Sequence, residues 1–508
     1  MPQKFVLLVT FLITFSANAQ TAQQRVRQYR QANETALLDE YREFLSIPNV
    51  SADSVNIRKN ASFILQMMKK RGISGMLLDG PTPGTTPAVF GEVRVPGAKK
   101  TIVFYAHYDG QPVNPKQWAG GLQPFVPVFI TAPIEQGGTI VTTYKSGDPI
   151  DPTWRLAGRG SADDKAGVMT ILNAYDALVK SKIPLTANLK FLFEGEEEVG
   201  STHLGAIFDK HRDKLASDLW IIADGPRHVS GKPIVQFGVR GDVNMYLTVY
   251  GAKRPLHSGN YGNWAPNPAM RLVKLLASMK DDNDQVIIKG FYDDVVPLTV
   301  SEKQAMANVP NMEAALKKEL GIAKPDGNGA PFVDLLMRPT LNINGIQSAN
   351  VGAMAGNIIP TKAEAVLDLR LVRGNDVTRQ MGRVVDHIRA QGYQVLDHEP
   401  TDAERQQYPK LIKIQTGVGY NAQRTPMDLP IAQEVIAAVQ SASTEQIVLS
   451  PSSGGSLPLY LFEKVLKANV VSVPVVNYDN NQHAENENVK VQYLWEGIEI
   501  LSAIMLIK

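Results

Sequence analysis

The stretch FLFEGEEEVGS, Phe191 to Ser201, runs from an apolar segment into four glutamates (Glu194, Glu196, Glu197 and Glu198) within five residues. With the residues before it, ANLKFLFEG reads as a strand that ends in an acidic turn. Strands with continuous apolar runs belong to sheets covered on both faces, the α/β class. Carboxylates this close repel one another, and folding them together needs a cation in their midst. A solvated helix face is the commoner fate of an acidic run. The reading therefore turns on whether the rest of the chain supplies partners.

It does. TIVFYAHYDGQPV ends an apolar strand in His107, with Asp109 two residues on. LWIIADG ends in Asp224, and VVNYDNNQHAENE places His483 after the strand VVSVPVV. LAGRGSADDKAG sets Asp163 and Asp164 in a Gly-rich turn that opens a helix. Each set is expected at the C-terminal end of a strand, where open α/β sheets bind ligands. Taken singly, His107 is a loop histidine and Asp224 a turn residue. The Gly-rich turn alone is a helix cap or phosphate loop, without Walker or dinucleotide spacing. Taken together, they offer two imidazoles and at least three carboxylates, enough for two divalent cations sharing one bridging carboxylate. The chain has no cysteine, so any metal is held by His, Asp and Glu, a donor set that suits zinc. A metal pair polarises a carbonyl and acidifies a water, and a spare glutamate can accept the proton.

The 508 residues are 44% hydrophobic with a formal net charge of +2. That is globular composition with material for two or more lobes. Near-neutral charge and the lack of a basic run exclude a nucleic-acid surface. Residues 1–19 carry a basic start, the apolar run FVLLVTFLITF and a small-x-small site at Ala17 and Ala19, the pattern of a cleaved secretory signal. The run is too short to span a bilayer. The expectation is an exported protein, periplasmic or secreted, with no membrane attachment after signal cleavage.

The α/β rhythm covers residues 20–238 and returns over 425–508. Between them, at 239–424, strands alternate as half-exposed strands do (VNMYLTVYG, AEAVLDLRLV), with helices at Asn267–Met279 and Val377–Gln391. The simplest architecture is an α/β catalytic domain, a mixed central sheet flanked by helices, interrupted by a smaller α+β domain. Residues 281–338 read as an irregular insertion.

In these motifs the sequence resembles the di-zinc metallopeptidases that include carnosinase, bacterial dipeptidases, glutamate carboxypeptidase, aminoacylase and succinyl-diaminopimelate desuccinylase. The resemblance runs from about residue 35 to the end and rests on HYDGQPV, GRGSADDKAG, EGEEEVGS, ADG, HSGNYG, SGGSLP and NQHAENE, in the family's order. It implies two zinc ions, with manganese or cobalt as substitutes. His107 and Asp224 would hold one metal, Glu198 and His483 the other, and Asp163 would bridge them. Asp109 would orient His107, Glu197 would be the general base, and a cis peptide would join Asp163 to Asp164. Glu194 and Glu196 receive no metal role. The inserted segment would be the family's lid and dimerisation domain. His257 would reach the active site of the other subunit of a homodimer and steady the oxyanion. Asn357, Arg370, Gly455 and Ser456 would hold substrate, the last two receiving a carboxylate.

Asp rather than Glu at position 224 accompanies dipeptidases and aminopeptidases in this family, so a small peptide with a free amino end is the expected substrate. The lid insertion, with FYDDVVPLT, also resembles the carnosinase-like form. The runner-up is an N-acyl-amino-acid deacylase or carboxypeptidase. A more remote reading is a non-catalytic binding protein on the same fold, which would hold no metal.

Overall fold

The strand Asn188–Glu194 lies inside an eight-stranded sheet. The order is Ser74–Leu78, Ala88–Val93, Asn188–Glu194, Thr101–His107, Leu219–Ile222, Val470–Ser472, Ile234–Gln236 and Val448–Ser450. The middle four run parallel, and the strand next to them on each side joins antiparallel, so the sheet is mixed. These coordinates are a computed structural model and describe residues 20–508; the signal read at 1–19 lies outside the described residues. No described helix is long and apolar enough to cross a membrane.

Both sheet faces are covered, as the apolar runs require. Helices Ala22–Ser46, Lys165–Lys180, Pro430–Ala442 and Val491–Ile504 pack on one face. Leu204–Lys210 and Tyr460–Leu466 cover the other, where Trp220, Phe208 and Phe462 meet edge-on. Lys165–Lys180 is buried from Lys165 to Leu178, because it is sandwiched between the sheet and the last helix. Its first turn crosses close to the strand ends. A Cβ on Gly167 would come within 2.8 Å of the Asp164 carboxylate and the Ala223 carbonyl, so only glycine fits there.

The smaller domain is a five-stranded sheet in the order Thr340–Gln347, Lys362–Leu371, Gly241–Tyr250, Leu411–Thr416 and Gln394–Leu396. Helices Pro268–Ala277 and Val377–Ala390 cover one face with a separate core. The segment expected to be irregular contains three short helices, Val300–Ala307, Glu313–Leu320 and Phe332–Leu336. They escape a periodicity reading because each spans at most eight residues and buries few of them.

Candidate active site

Register sets the first part of the site. His107 and Glu194 are direct partners on adjacent parallel strands, and Leu219–Ile222 lies on the other side of Thr101–His107. The parallel strands therefore release His107, the glutamate turn and Asp224 at one edge. The chain after Val470–Ser472 brings His483 to the same place. Asp163 arrives differently. The strand before it, Arg155–Ala157, belongs to a separate three-stranded sheet with Val128–Ile130 and Asn488–Lys490. Asp163 is delivered by the turn that opens the Lys165–Lys180 helix, and its peptide bond to Asp164 is cis.

Asp163 lies between the two histidines. Its Oδ1 is 2.9 Å from His107 Nε2 and its Oδ2 is 2.9 Å from His483 Nε2. His483 Nε2 is also 3.2 Å from Glu198 Oε2. Asp224 Oδ2 and Glu197 Oε2 each lie 3.9 Å from His107 Nε2. Donor atoms of Asp163, Glu198 and His483 fall within 4.8 Å of one another, as do those of His107, Asp164 and Asp224. Asp164, however, is engaged by backbone: its Oδ1 caps the helix at the Gly167 N–H (3.0 Å), and its Oδ2 accepts from the His107 N–H (3.2 Å). Asp163 is thus the carboxylate that serves both groups.

Asp109 sits behind this layer. Its Oδ1 is 3.3 Å from His107 Nδ1, and its two oxygens accept the Glu197 and Glu198 N–H groups at 3.1 Å each. One buried carboxylate therefore sets both the imidazole and the glutamate turn. Ser51 adds a hydroxyl to Asp109 at 2.8 Å, and Gln111 Nε2 donates to Glu198 at 2.8 Å. The other two glutamates have separate partners. Glu194 is buried and accepts the Tyr105 hydroxyl at 2.5 Å, and burial pushes it up to about 7. Glu196 meets His203 Nδ1 at 2.8 Å.

The electrostatics are those of a cation site. Among the described residues, no Lys or Arg pairs with Asp163, Glu197, Glu198 or Asp224. Burial and the Asp163 and Glu198 charges push Asp224 up to about 6. Burial, with Asp224, Glu198 and Asp163, also pushes Glu197 well above the carboxylate range. Burial opposes charge on His107, but Asp109 and Asp163 outweigh it and hold the ring well above the ordinary histidine range. Asp163 and Glu198 raise His483 to about 10. Asp163 Oδ2 is buried and faces His483 Nε2 at 2.9 Å. A pair of nitrogens and four carboxylates, with no cationic side chain paired to them among the described residues, fits divalent metal ions.

The remaining expected site residues form two further groups. Arg370 Nη1 donates to Ser456 Oγ at 2.8 Å, across the two domains, while its Nε lies 3.1 Å from Asp368. The Gly455 carbonyl accepts from the Arg240 N–H at 3.2 Å. Tyr420 stacks on Tyr460 at 5.8 Å beside Ser456; burial, with the Asp242 and Glu197 charges, raises its phenol. His257 and Asn357 lie at neighbouring short strand segments, and among the described residues neither has a hydrogen bond or ion pair to the histidine–carboxylate cluster. The Asn357 carbonyl accepts the Ser258 N–H at 3.0 Å, and the exposed His257 ring accepts the Gly259 N–H at 3.1 Å.

Sequence reasoning missed Gln111, Ser51, Tyr420 and Glu487. Glu487 is fully buried and accepts the N–H groups of Gly160 (3.0 Å), Ala162 (2.8 Å) and Asp163 (2.9 Å), besides an ion pair with Arg159 at 2.7 Å. It shapes the turn that presents Asp163. Its only signal is its place at the end of NQHAENE, where spacing does not distinguish it from Glu485. Glu487→Ala would leave a buried guanidinium and three amides unpaired, an expected loss of about 3–5 kcal/mol of stability. Chemical denaturation of the variant beside the parent checks this; an unchanged midpoint would show that water replaces the carboxylate.

Comparisons with known proteins identify the family. The sequence profile of Peptidase family M20/M25/M40 matches residues 103–507. The Cys-Gly metallodipeptidase dug1 of Schizosaccharomyces pombe is 26% identical over 480 residues, covering 90% of this chain and 92% of the relative. The human Beta-Ala-His dipeptidase is 26% identical over 445 residues, 85% of this chain and 79% of the relative. Among solved structures, the M20 family metallo-carboxypeptidase Sso-CP2 from Sulfolobus solfataricus is similar at a TM-score of 0.75 and 28% identity, over 93% of this chain and 98% of that one. Human carnosine dipeptidase 1 shares the fold at a TM-score of 0.69 and 23% identity, over 95% and 99% of the two chains. With the family profile spanning the catalytic strands, the inserted domain and the last helix, this chain belongs to peptidase family M20/M25/M40 and is a metallopeptidase, a hydrolase of peptide bonds.

Proposed function

We propose that this chain is an exported dipeptidase that works with two divalent metal ions, zinc first among the candidates. The observation that carries the reading is Asp163, whose two oxygens each lie 2.9 Å from a different histidine. His107, Asp163 and Asp224 would hold one ion, and Asp163, Glu198 and His483 the other. Bound there, the ions would supply a Lewis acid for the scissile carbonyl and lower the pKa of a water.

The protein's own groups do the rest. Glu197 lies beside His107 without belonging to either ligand group, so its carboxylate is available to take a proton from the attacking water. It then returns that proton to the leaving amine, the two halves of general acid–base catalysis. Asp109 fixes the Glu197 backbone and the His107 ring together, which keeps base and ligand in one frame. Arg370 and Ser456 present a guanidinium and a hydroxyl suited to a substrate carboxylate. His257, exposed and with no hydrogen bond or ion pair to the cluster among the described residues, is read as a contribution to the second subunit of a homodimer, where it would stabilise the oxyanion.

Asp224 and the dipeptidase relatives favour a substrate with a free amino end. A second reading, a carboxypeptidase or N-acyl-amino-acid deacylase, draws support from the Arg370–Ser456 pair and from the likeness to Sso-CP2. Hydrolysis of Leu-Ala beside N-acetyl-Leu-Ala by the zinc-loaded protein separates them. Cleavage of the free dipeptide alone is expected. Cleavage of the blocked form alone would transfer the assignment to the second reading, and a chain that retains no metal after zinc repletion would be a binding protein.

A further inference from the structure

The two histidines are held by different means. The His107 side chain is fully buried, whereas that of His483 is 55% exposed. Packing fixes the first ring. The second depends on the loop that carries it, and that loop is an unusual backbone: Asn481, His483 and Asn486 all have positive φ, at 55°, 65° and 59°. Left-handed residues other than glycine persist where surrounding contacts enforce them.

Those contacts come from a distant segment. Glu135, in the short turn Ile134–Gln136, accepts the side-chain amide of Asn481 at 3.0 Å and that of Asn486 at 2.7 Å, both on Oε1. A single carboxylate oxygen thus ties together two of the left-handed positions on either side of His483. The Asn486 side-chain oxygen Oδ1 is occupied as well, accepting the Ala119 N–H at 2.9 Å, so this side chain bridges two parts of the 119–135 segment. Arg159 donates to the Ala484 carbonyl at 2.9 Å and holds the turn from the opposite direction. None of these residues supplies a ligand atom to either group.

We propose that Glu135 is a positioning residue for His483: it clamps Asn481 and Asn486 and so sets the affinity of the metal position formed by Asp163, Glu198 and His483, leaving the His107 position independent of it. This rests on the two-metal reading above. Partners that orient a metal ligand influence affinity by about 10–100-fold. Because Glu135 is exposed, its removal leaves the core untouched.

The test is zinc titration calorimetry on the metal-stripped full chain, comparing the parent, Glu135→Ala and Glu135→Gln. The parent is expected to take up two ions. Glu135→Ala should lose about tenfold or more in affinity at one position only. Glu135→Gln retains the accepting Oε1 and should stay close to the parent. Turnover of a free dipeptide by Glu135→Ala should fall through kcat, with KM unchanged, and recover as zinc is raised. Two unchanged affinities in Glu135→Ala, or equal weakening of both, would overturn the assignment. Asn486→Ala serves as a second variant and should reproduce the one-position loss; an unchanged Asn486→Ala would also count against the clamp. A parent chain that binds no zinc would overturn both this inference and the two-metal reading, whereas a parent that binds two beside an unaffected Glu135→Ala would overturn the clamp alone.

Discussion

Glu197→Gln protein is expected to keep its metals and lose turnover by about 10²–10⁴-fold in kcat, the range that a positioned proton-transfer group contributes. The residue lies 3.9 Å from His107 Nε2, and its N–H is anchored on Asp109. The amide of Gln fills the same space and keeps that anchor, but it cannot accept and return a proton. KM should change little, since the lost interaction belongs to the proton transfer rather than to substrate binding. Metal content by elemental analysis, set beside steady-state kinetics, decides the matter. Full turnover in Glu197→Gln would remove the general-base role. Loss of metal together with turnover would recast Glu197 as a ligand.

Asp163→Ala should be the more damaging change, because it strikes both metal positions at once. Among the described residues, only this carboxylate places an oxygen 2.9 Å from each histidine. Without it, His107 and His483 face Asp224 and Glu198 with nothing shared between the two groups. The expected result is a chain that retains less than one equivalent of zinc after dialysis and a kcat/KM lower by on the order of 10³-fold or more, the scale of several kcal/mol of lost charge stabilisation. Raising zinc should not restore activity. If Asp163→Ala retained two equivalents and turned over substrate, the bridging assignment would be wrong. Asp164 would then be the candidate to re-examine, although its oxygens are taken by the Gly167 and His107 N–H groups.

The glutamate run shows how far residue order carries the argument. An apolar strand followed by a turn is a local pattern, and the same pattern recurs at His107 and Asp224. The parallel register of those strands then brings the three turns to one edge, as expected of an α/β sheet. The division of labour among the four glutamates is not local. Glu194 is the last residue of its strand and turns inward to Tyr105, while Glu196 turns out to His203. Glu197 and Glu198 face the histidines because Asp109, nearly ninety positions earlier in the chain, holds their amides. Alternation along the turn does not predict this, since the residues there follow neither a strand period nor a helix period.

Asp163 is the clearest departure. The helix that opens after it is as read, but the strand before it, Arg155–Ala157, lies in the small three-stranded sheet and not at the edge of the main one. The chemistry of the ligand set is legible in residue types and their order, because metal ligation needs particular donor atoms and strand ends are local features. The shape of the set is not. Arg159 and Glu487 pair across 328 positions, and Glu135 meets Asn481 across 346. Such contacts exist only once the sheet has closed and the last helix has packed. A side-chain hydrogen bond leaves no periodic trace in sequence, and its partner is chosen by where the folded backbone brings a free donor or acceptor.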